Sequence, residues 1–317
     1  IEVNGYPLAR IEKMSKSTRK IGLGVMGFAD MLVKLRIPYD SDDAIALAEK
    51  TMAFISNEAR KASVALAQKR GNFPEYRGSV FDDAATPWMR NATTTTIAPT
   101  GTLSIIAGTS SGIEPLFAVA HFRRALGGKT LPEMHPLLIE IAEKEGFFSE
   151  ELAAAIAATG SIQHIDAVPE PIRKIFRTSH DIPAEWHVKI QAAFQKHTDN
   201  AVSKTVNLPQ AATPKDVERV FLLAYQTGCK GVTIYRYGSR AHQVLNLGAG
   251  MQENRIRKKG EGVPSSPDAI ARMLKNLSTA DTKHNAMRMG VCSECANVMT
   301  HEEGCLSCRS CGLSRCG

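Results

Sequence analysis

The chain has 317 residues, 43% hydrophobic and 22% charged, with a formal net charge of +7. That composition excludes a disordered chain and leaves room for one large folded body plus a small one. No apolar run approaches the roughly 18 residues of a membrane-spanning helix, and no secretory signal opens the sequence. The positive excess is compatible with anionic substrates or nucleic acid but is mild for this length.

The sequence starts at Ile1, and "IEVNGYPLAR" reads like the interior of a protein, so an N-terminal part is expected to be missing. Residues 1–75 read as mostly helical. "KIGLGVMGFA" places Gly22, Gly24 and Gly27 in a G-x-G-x-x-G spacing. A dinucleotide turn needs a buried strand before its first glycine, and the preceding "IEKMSKSTRK" is polar with helical spacing. The glycines are therefore read as small residues that let one helix pack closely on a neighbour. "SDDAIALAEKTMAFISNEARKASVALAQKRG" carries a Ser/Asp start signal and ends at Gly71, which predicts one long helix.

"ATTTTIA", 92–98, is β-branched and strand-like. "PTGTLSIIAGTSSGIEP" follows as a turn into a short helix. "LPEMHPLLIEIAEKEG", "SEELAAAIAATG" and "PAEWHVKIQAAFQKHT" read as helices, the last with Pro183 in its first turn. "AVSKTVNLP" is a buried strand, "TPKDVERVFLLAYQTG" a helix between Thr213 and Gly228, and "KGVTIYRYG" a further strand. Strands alternating with long helices predict an α/β barrel or a parallel sheet. About three strands are legible, too few to close a barrel.

The strand–turn–helix at "IAPTGTLS" has the makings of an anion site. A helix N-terminus offers unpaired N–H groups and a positive dipole end. Gly101 allows close backbone approach, and Thr100, Thr102 and Ser104 add hydroxyls; an ordinary turn with a Thr cap is the plainer reading.

From residue 246 the sequence turns Gly-, Ser- and charge-rich, including the basic run "NRIRKKG" at 254–260, and reads as a linker. Six of the seven cysteines fall between 292 and 317. Cys292-x2-Cys295 and Cys308-x2-Cys311 have zinc-ribbon spacing, each pair chelating from a tight turn to give a tetrahedral S4 site. A segment this short has almost no core, so metal binding would supply its folding energy. Cys305 and Cys316 are left over and could approach each other across a hairpin. A competing assignment gives zinc Cys292, Cys295, Cys305 and Cys308 and leaves Cys311 and Cys316 as the pair; His301 is a further candidate ligand.

"RNATTTTIAPTGTLSIIAGTSSGIEPLFA" closely resembles the C-terminal half of the adenosylcobalamin-dependent (class II) ribonucleotide reductases. "TRKIGLGVMGFADML", "DIPAEWHVKIQAAFQKHTDNAVSKTVNLP" and "GCKGVTIYRYGSR" resemble the same family in the same order. The resemblance implies the C-terminal part of a ten-stranded α/β barrel at 1–245, a flexible linker at 246–289 and a zinc ribbon at 290–317. It implies that Pro99, Thr100, Gly101, Thr102 and Leu103, with Ser104, cradle the phosphates of a ribonucleotide. It further implies that a C-terminal cysteine pair, Cys305 with Cys316 or Cys311 with Cys316, re-reduces an active-site disulfide and is recharged by thioredoxin or glutaredoxin.

Adenosylcobalamin, bound mostly by the missing N-terminal part, zinc, a homodimer partner and a cytoplasmic setting belong to the same set of expectations. Glu114 and Asn207 lie in family motifs without an assigned role. Tyr237 stands where the family usually has Asp, so a local charge pairing of this position with Arg240 is not expected. The family's radical cysteine sits in an Asn-Pro-Cys-Gly-Glu type loop, and no such motif occurs here. Cys229 reads as a small buried residue instead, so this chain alone is expected to be inactive.

Two rivals compete. One is a nucleic-acid-binding module with a zinc ribbon, disfavoured because the ribbon holds only Arg309 and Arg315 and no aromatic residue for stacking. The other is a glycyl-radical reductase, which Gly312 superficially suits.

Overall fold

The computed structural model describes residues 1–84, 87–124 and 130–239, together with three short strands near the C-terminus. The helices among them are α1 (Ala9–Thr18), α2 (Phe28–Lys34), α3 (Asp42–Arg70), α4 (Gly101–Ala107), α5 (Pro136–Glu145), α6 (Glu150–Thr159), α7 (Glu170–Ile175), α8 (Ala184–Gln195) and α9 (Pro214–Gln226). The strands are β1 (Ala120–Arg124), β2 (Thr130–Met134), β3 (Thr205–Leu208), β4 (Thr233–Arg236), β5 (Thr300–Glu302), β6 (Cys305–Ser307) and β7 (Ser314–Cys316). The chain divides into two compact units, Ile1–Phe117 with Val168–Gln243, and Ala118–Ala167 with Val244–Gly317.

The first unit is α/β. Leu23 bridges Thr95, Ile97 bridges Val202, and β3 pairs with β4, every contact parallel. Extended segments therefore lie in the order 20–25, 93–98, 201–208 and β4, with α2 and α3 carrying the chain between the first two and α9 between the last two. A third parallel bridge joins Leu116 to Thr178. Such connections need a long crossover, usually helical. The alternation read from the sequence thus has its physical basis in parallel pairing.

The long helix α3 starts where the sequence marks it. Ser41 Oγ accepts from Ala44 N at 3.2 Å, Asp42 and Asp43 occupy the first turn, and Gly71 ends the helix. Its Ala44, Ala48 and Met52 are fully buried and join Phe28, Leu32, Ile97, Ile190 and Phe194 in one core. Phe28 meets Phe194 edge-to-face at 5.1 Å. At α9 the expected Thr213 start is a reciprocal capping box with Asp216. Pro183 is the residue before the first turn of α8 rather than within it, because its ψ of 145° is still extended.

The glycine motif is corrected by the structure. Residues 20–25 are not a helix packed on a neighbour; they run extended beside 93–97, with Leu23 N donating to Thr94 O at 2.8 Å and Thr96 N to Leu23 O at 3.0 Å. A Cβ on Gly22 would lie 2.3 Å from Thr96 Cγ2, and one on Gly24 2.1 Å from Thr96 O. Only glycine admits this approach.

The second unit holds β1 and β2 as an antiparallel pair, from Ala120 opposite Met134 to Arg124 opposite Thr130. Leu131–Met134, which the sequence pattern places in the following helix, are strand, and the helix starts only at Pro136, after His135. The proline that opens the helix is Pro136, while Pro132 faces Phe122 in a two-stranded ribbon, where each strand has a free edge that tolerates proline. In the tail, β5, β6 and β7 form an antiparallel sheet in that order. Its register sets Cys305 opposite both Glu302 and Cys316.

Candidate functional site

The strand 93–98 delivers the chain to the anion-site candidate. It is clamped by Asp199, whose Oδ2 accepts from Thr94 N at 2.7 Å, Thr94 Oγ1 at 2.9 Å and Thr95 N at 3.3 Å. After Pro99 the backbone turns sharply: Thr100 is left-handed, φ 52°, and α4 begins at Gly101. Ser104 N reaches Thr100 O at 2.8 Å. The N–H groups of Gly101, Thr102 and Leu103 precede it and have no intrahelical acceptor, as in any helical first turn. A Cβ built on Gly101 meets nothing within 4 Å, so this backbone is open to an approaching group.

The hydroxyls behave differently from one another. Ser104 is buried and its Oγ donates to Gly101 O at 3.1 Å, so its hydroxyl is turned into the helix. Thr100 does not cap α4; its Oγ1 accepts from Gly112 N at 2.7 Å. Thr102 and Leu103 are exposed. Backbone N–H groups, more than side-chain hydroxyls, are what this loop presents.

A second segment, 109–114, braces the loop. Ser111 Oγ donates to Pro99 O. Asp30, on α2, accepts from Thr109 Oγ1 and Ser110 N, both at 2.7 Å. Gly27 N donates to Ser110 O at 2.8 Å, and a Cβ on Gly27 would meet Thr109 Oγ1 at 2.4 Å. The third glycine of the motif thus allows this brace.

Behind it lies a buried charged cluster that the sequence reading had not assembled. Glu114 Oε1 accepts from Thr205 N at 2.7 Å, and Oε2 from Lys204 Nζ at 2.6 Å. Lys204 is fully buried and also reaches His187 Nδ1 at 2.8 Å and Thr205 O. These are three acceptors for the three N–H bonds of an ammonium. His187 Nδ1 is then an acceptor, so Nε2 carries the proton toward Ser179 O at 3.2 Å. Burial, reinforced by the Lys204 charge, lowers the His187 pKa to about 3, which keeps the ring neutral. Burial also pushes the Lys204 ammonium below its usual range, and Glu114 opposes that. Tyr39, wholly buried, donates to Ile113 O at 2.6 Å, and its phenol is pushed well up by burial and by Glu114.

The remaining candidates are scattered. Tyr237 packs edge-on against His180 at 5.4 Å, which in turn meets Phe117 at 5.8 Å. An aromatic contact therefore occupies the position where the family usually has an acid. Asn207 sits on β3 opposite Tyr235. Cys229 is half-buried against Val220 and Ala224, and burial raises its thiol pKa, which is the environment of an inert cysteine. Arg240, the linker and the four expected zinc ligands Cys292, Cys295, Cys308 and Cys311 lie outside the described residues. Among the described residues no group of three or more His, Cys, Asp or Glu could hold a metal ion. No described helix is long and apolar enough to cross a membrane.

The fold and the open turn define an α/β protein with parallel pairing, and comparison with known proteins narrows the class. A family profile described as "Ribonucleotide reductase, barrel domain" matches residues 1–88 and 82–235. The chain belongs to the ribonucleotide reductase family. It is 47% identical over 282 residues to a vitamin B12-dependent ribonucleoside-diphosphate reductase of Thermoplasma acidophilum, covering 89% of this chain and 36% of that protein. It is 46% identical over 249 residues to a protein of the same name from Mycobacterium tuberculosis, covering 78% of this chain and 35% of that protein. The chain thus spans about a third of the length of these curated relatives. In fold it is similar to the class Id ribonucleotide reductase alpha subunit of Actinobacillus ureae, with TM-score 0.64 and 24% identity, over 75% of this chain and 43% of that one. The nucleic-acid-module reading finds no support in these matches.

Proposed function

We propose that this chain is the C-terminal part of a cobalamin-dependent reductase that converts ribonucleotides to deoxyribonucleotides, and that it contributes the substrate-phosphate loop and a thiol shuttle. The observation that carries the reading is the loop at 99–104. Its Gly101 faces open space and its first three helical N–H groups lack intrahelical acceptors, on a chain close to half identical to B12-dependent reductases. Gly101, Thr102 and Leu103 hold the phosphates mainly through backbone N–H groups, Pro99 and Thr100 shape the turn that presents them, and Ser104 supports the turn from inside the helix.

In this reading the barrel is ten-stranded and the other strands, with the radical cysteine loop, come from the N-terminal part of the same polypeptide. Adenosylcobalamin supplies the radical chemistry when bound. The groove of about 530 Å³ along α3, lined by Asn57, Arg60, Lys61, Val64, Ala65 and Gln68, is an open face of one helix that does not enclose a corrin-sized group. Cobalamin binding is assigned mostly to the N-terminal part of the polypeptide.

The tail at 290–317 is read as a zinc-organised shuttle joined by the 246–289 linker. Cys308 and Cys311 fall in sequence between β6 and β7, and Cys292 and Cys295 precede β5, an order that suits ligands carried on turns. The β6–β7 register favours Cys305 with Cys316 over Cys311 with Cys316. Residues directly opposite on antiparallel strands have Cα atoms about 4.5–5.5 Å apart, within the range a disulfide spans. Exchange with thioredoxin or glutaredoxin requires a reducing compartment, the cytoplasm; a homodimer is compatible with this arrangement.

One variant tests the tail. In the complete polypeptide, Cys305→Ser with Cys316→Ser should lose turnover driven by thioredoxin, keep turnover driven by dithiothreitol, and retain one zinc per chain. Loss of zinc would move Cys305 into the ligand set, and undiminished thioredoxin-driven turnover would remove the shuttle.

A further inference from the structure

The phosphate loop holds a conformation that its own residues do not favour. Thr100 is a non-glycine residue at φ 52°, a region that persists only where the surroundings over-determine it. Among the described residues its side-chain partners come from one place: Gly112 N at 2.7 Å and Ser111 Oγ at 3.5 Å. The same segment holds Pro99 O through Ser111 Oγ, and Gly112 is so close that a Cβ on it would lie 3.0 Å from Ala98 O. What fixes 111–112 therefore fixes the loop.

The fixing point is two residues on. Glu114 N donates to Ser111 O at 2.9 Å, and the Glu114 carboxylate is held at both oxygens, by Thr205 N and by Lys204 Nζ. Lys204 stands on the buried phase of its strand, between Val202 and Val206, and spends its remaining donors on His187 and Thr205 O. A buried cation at this point is costly unless fully paired, so the arrangement has one geometry with every bond made. On the other side of Glu114, Tyr39 pins Ile113 O.

We propose that Glu114 and Lys204, steadied by His187, are positioning residues for substrate phosphate. They lock Ser111 and Gly112, which hold Pro99 and left-handed Thr100, and so aim the N–H groups of Gly101, Thr102 and Leu103. None of the three touches substrate. The inference rests on the phosphate-loop reading given above and adds to it the device that keeps the loop aimed.

The test is made in the complete reductase polypeptide with Glu114→Gln, which keeps an acceptor for Thr205 N and removes the charge that orders Lys204. A loop left less well aimed loses binding of the ribonucleotide, so its KM should rise on the order of tenfold with kcat within about twofold. An unchanged KM, whatever the melting temperature does, overturns the proposal. Should Glu114→Gln not fold, the double variant Glu114→Gln with Lys204→Met removes both charges together and is read the same way. Gly101→Val separates the two levels. If it raises KM while the Glu114 variants do not, the positioning role is wrong and the loop reading stands. If it too leaves KM unchanged, the loop reading fails and the positioning role goes with it.

Discussion

Gly24→Ala is the sharpest perturbation of the fold that carries the loop. The added Cβ would lie 2.1 Å from Thr96 O, whereas real Cβ atoms essentially never come under 3.0 Å, so the two segments must part by about 0.9 Å. The obstacle is a backbone oxygen, which has no rotamer to escape into. Parting by that distance stretches Leu23 N to Thr94 O from 2.8 Å and Thr96 N to Leu23 O from 3.0 Å beyond hydrogen-bond range. Two bonds at about 1 kcal/mol each, added to overpacking strain of about 1–3 kcal/mol, give a loss of roughly 3–5 kcal/mol. Urea unfolding followed by circular dichroism measures it, with Gly231→Ala as control because a Cβ there meets nothing within 4 Å. The control should stay within about 0.5 kcal/mol. A loss under about 1 kcal/mol for Gly24→Ala would refute the close-approach argument, because the segments would then have room to separate.

The buried histidine makes a prediction in pH. His187 has its pKa lowered from 6.5 to about 3 in the fold, so the unfolded chain binds the extra proton between those values. Its contribution is full above pH 6.5 and is lost as pH falls toward 3, at up to about 1.4 kcal/mol per pH unit. His187→Gln should flatten the fall in urea midpoint between pH 6.5 and 4, and an unchanged slope would mean that the ring is not held neutral.

Much of the fold was legible because it is written locally. The Ser41 start and Gly71 stop of α3, and the Thr213 cap of α9, are short-range signals, and the structure uses each. The β1–β2 pair was missed because "LPEM", 131–134, runs straight into the apolar pattern of the following helix. The Gly127–Gly128 pair between two short runs was the hairpin signal available. The close approach of the three glycines at 22–27 was not legible, because their neighbours, Thr96 and Thr109, lie far along the chain and leave no local trace. The strand, glycine turn and helix at 93–107 could be read because they are contiguous. The Glu114–Lys204–His187 cluster could not, since it joins three distant segments. Its one sequence signal was a lysine on the inward phase of "AVSKTVNLP", where Val202, Val206 and Leu208 are the buried neighbours.

The measurement that tests the central claim most directly is the ribonucleotide KM of Gly101→Val in the complete polypeptide, assayed with adenosylcobalamin. The valine side chain enters space that is empty in the structure, so the fold should tolerate it and the melting temperature should hold. The account predicts a KM raised on the order of tenfold or more, because the branched side chain stands where phosphate oxygens must approach backbone N–H groups. An unchanged KM in a folded, active enzyme would contradict it and remove residues 99–104 from the substrate site.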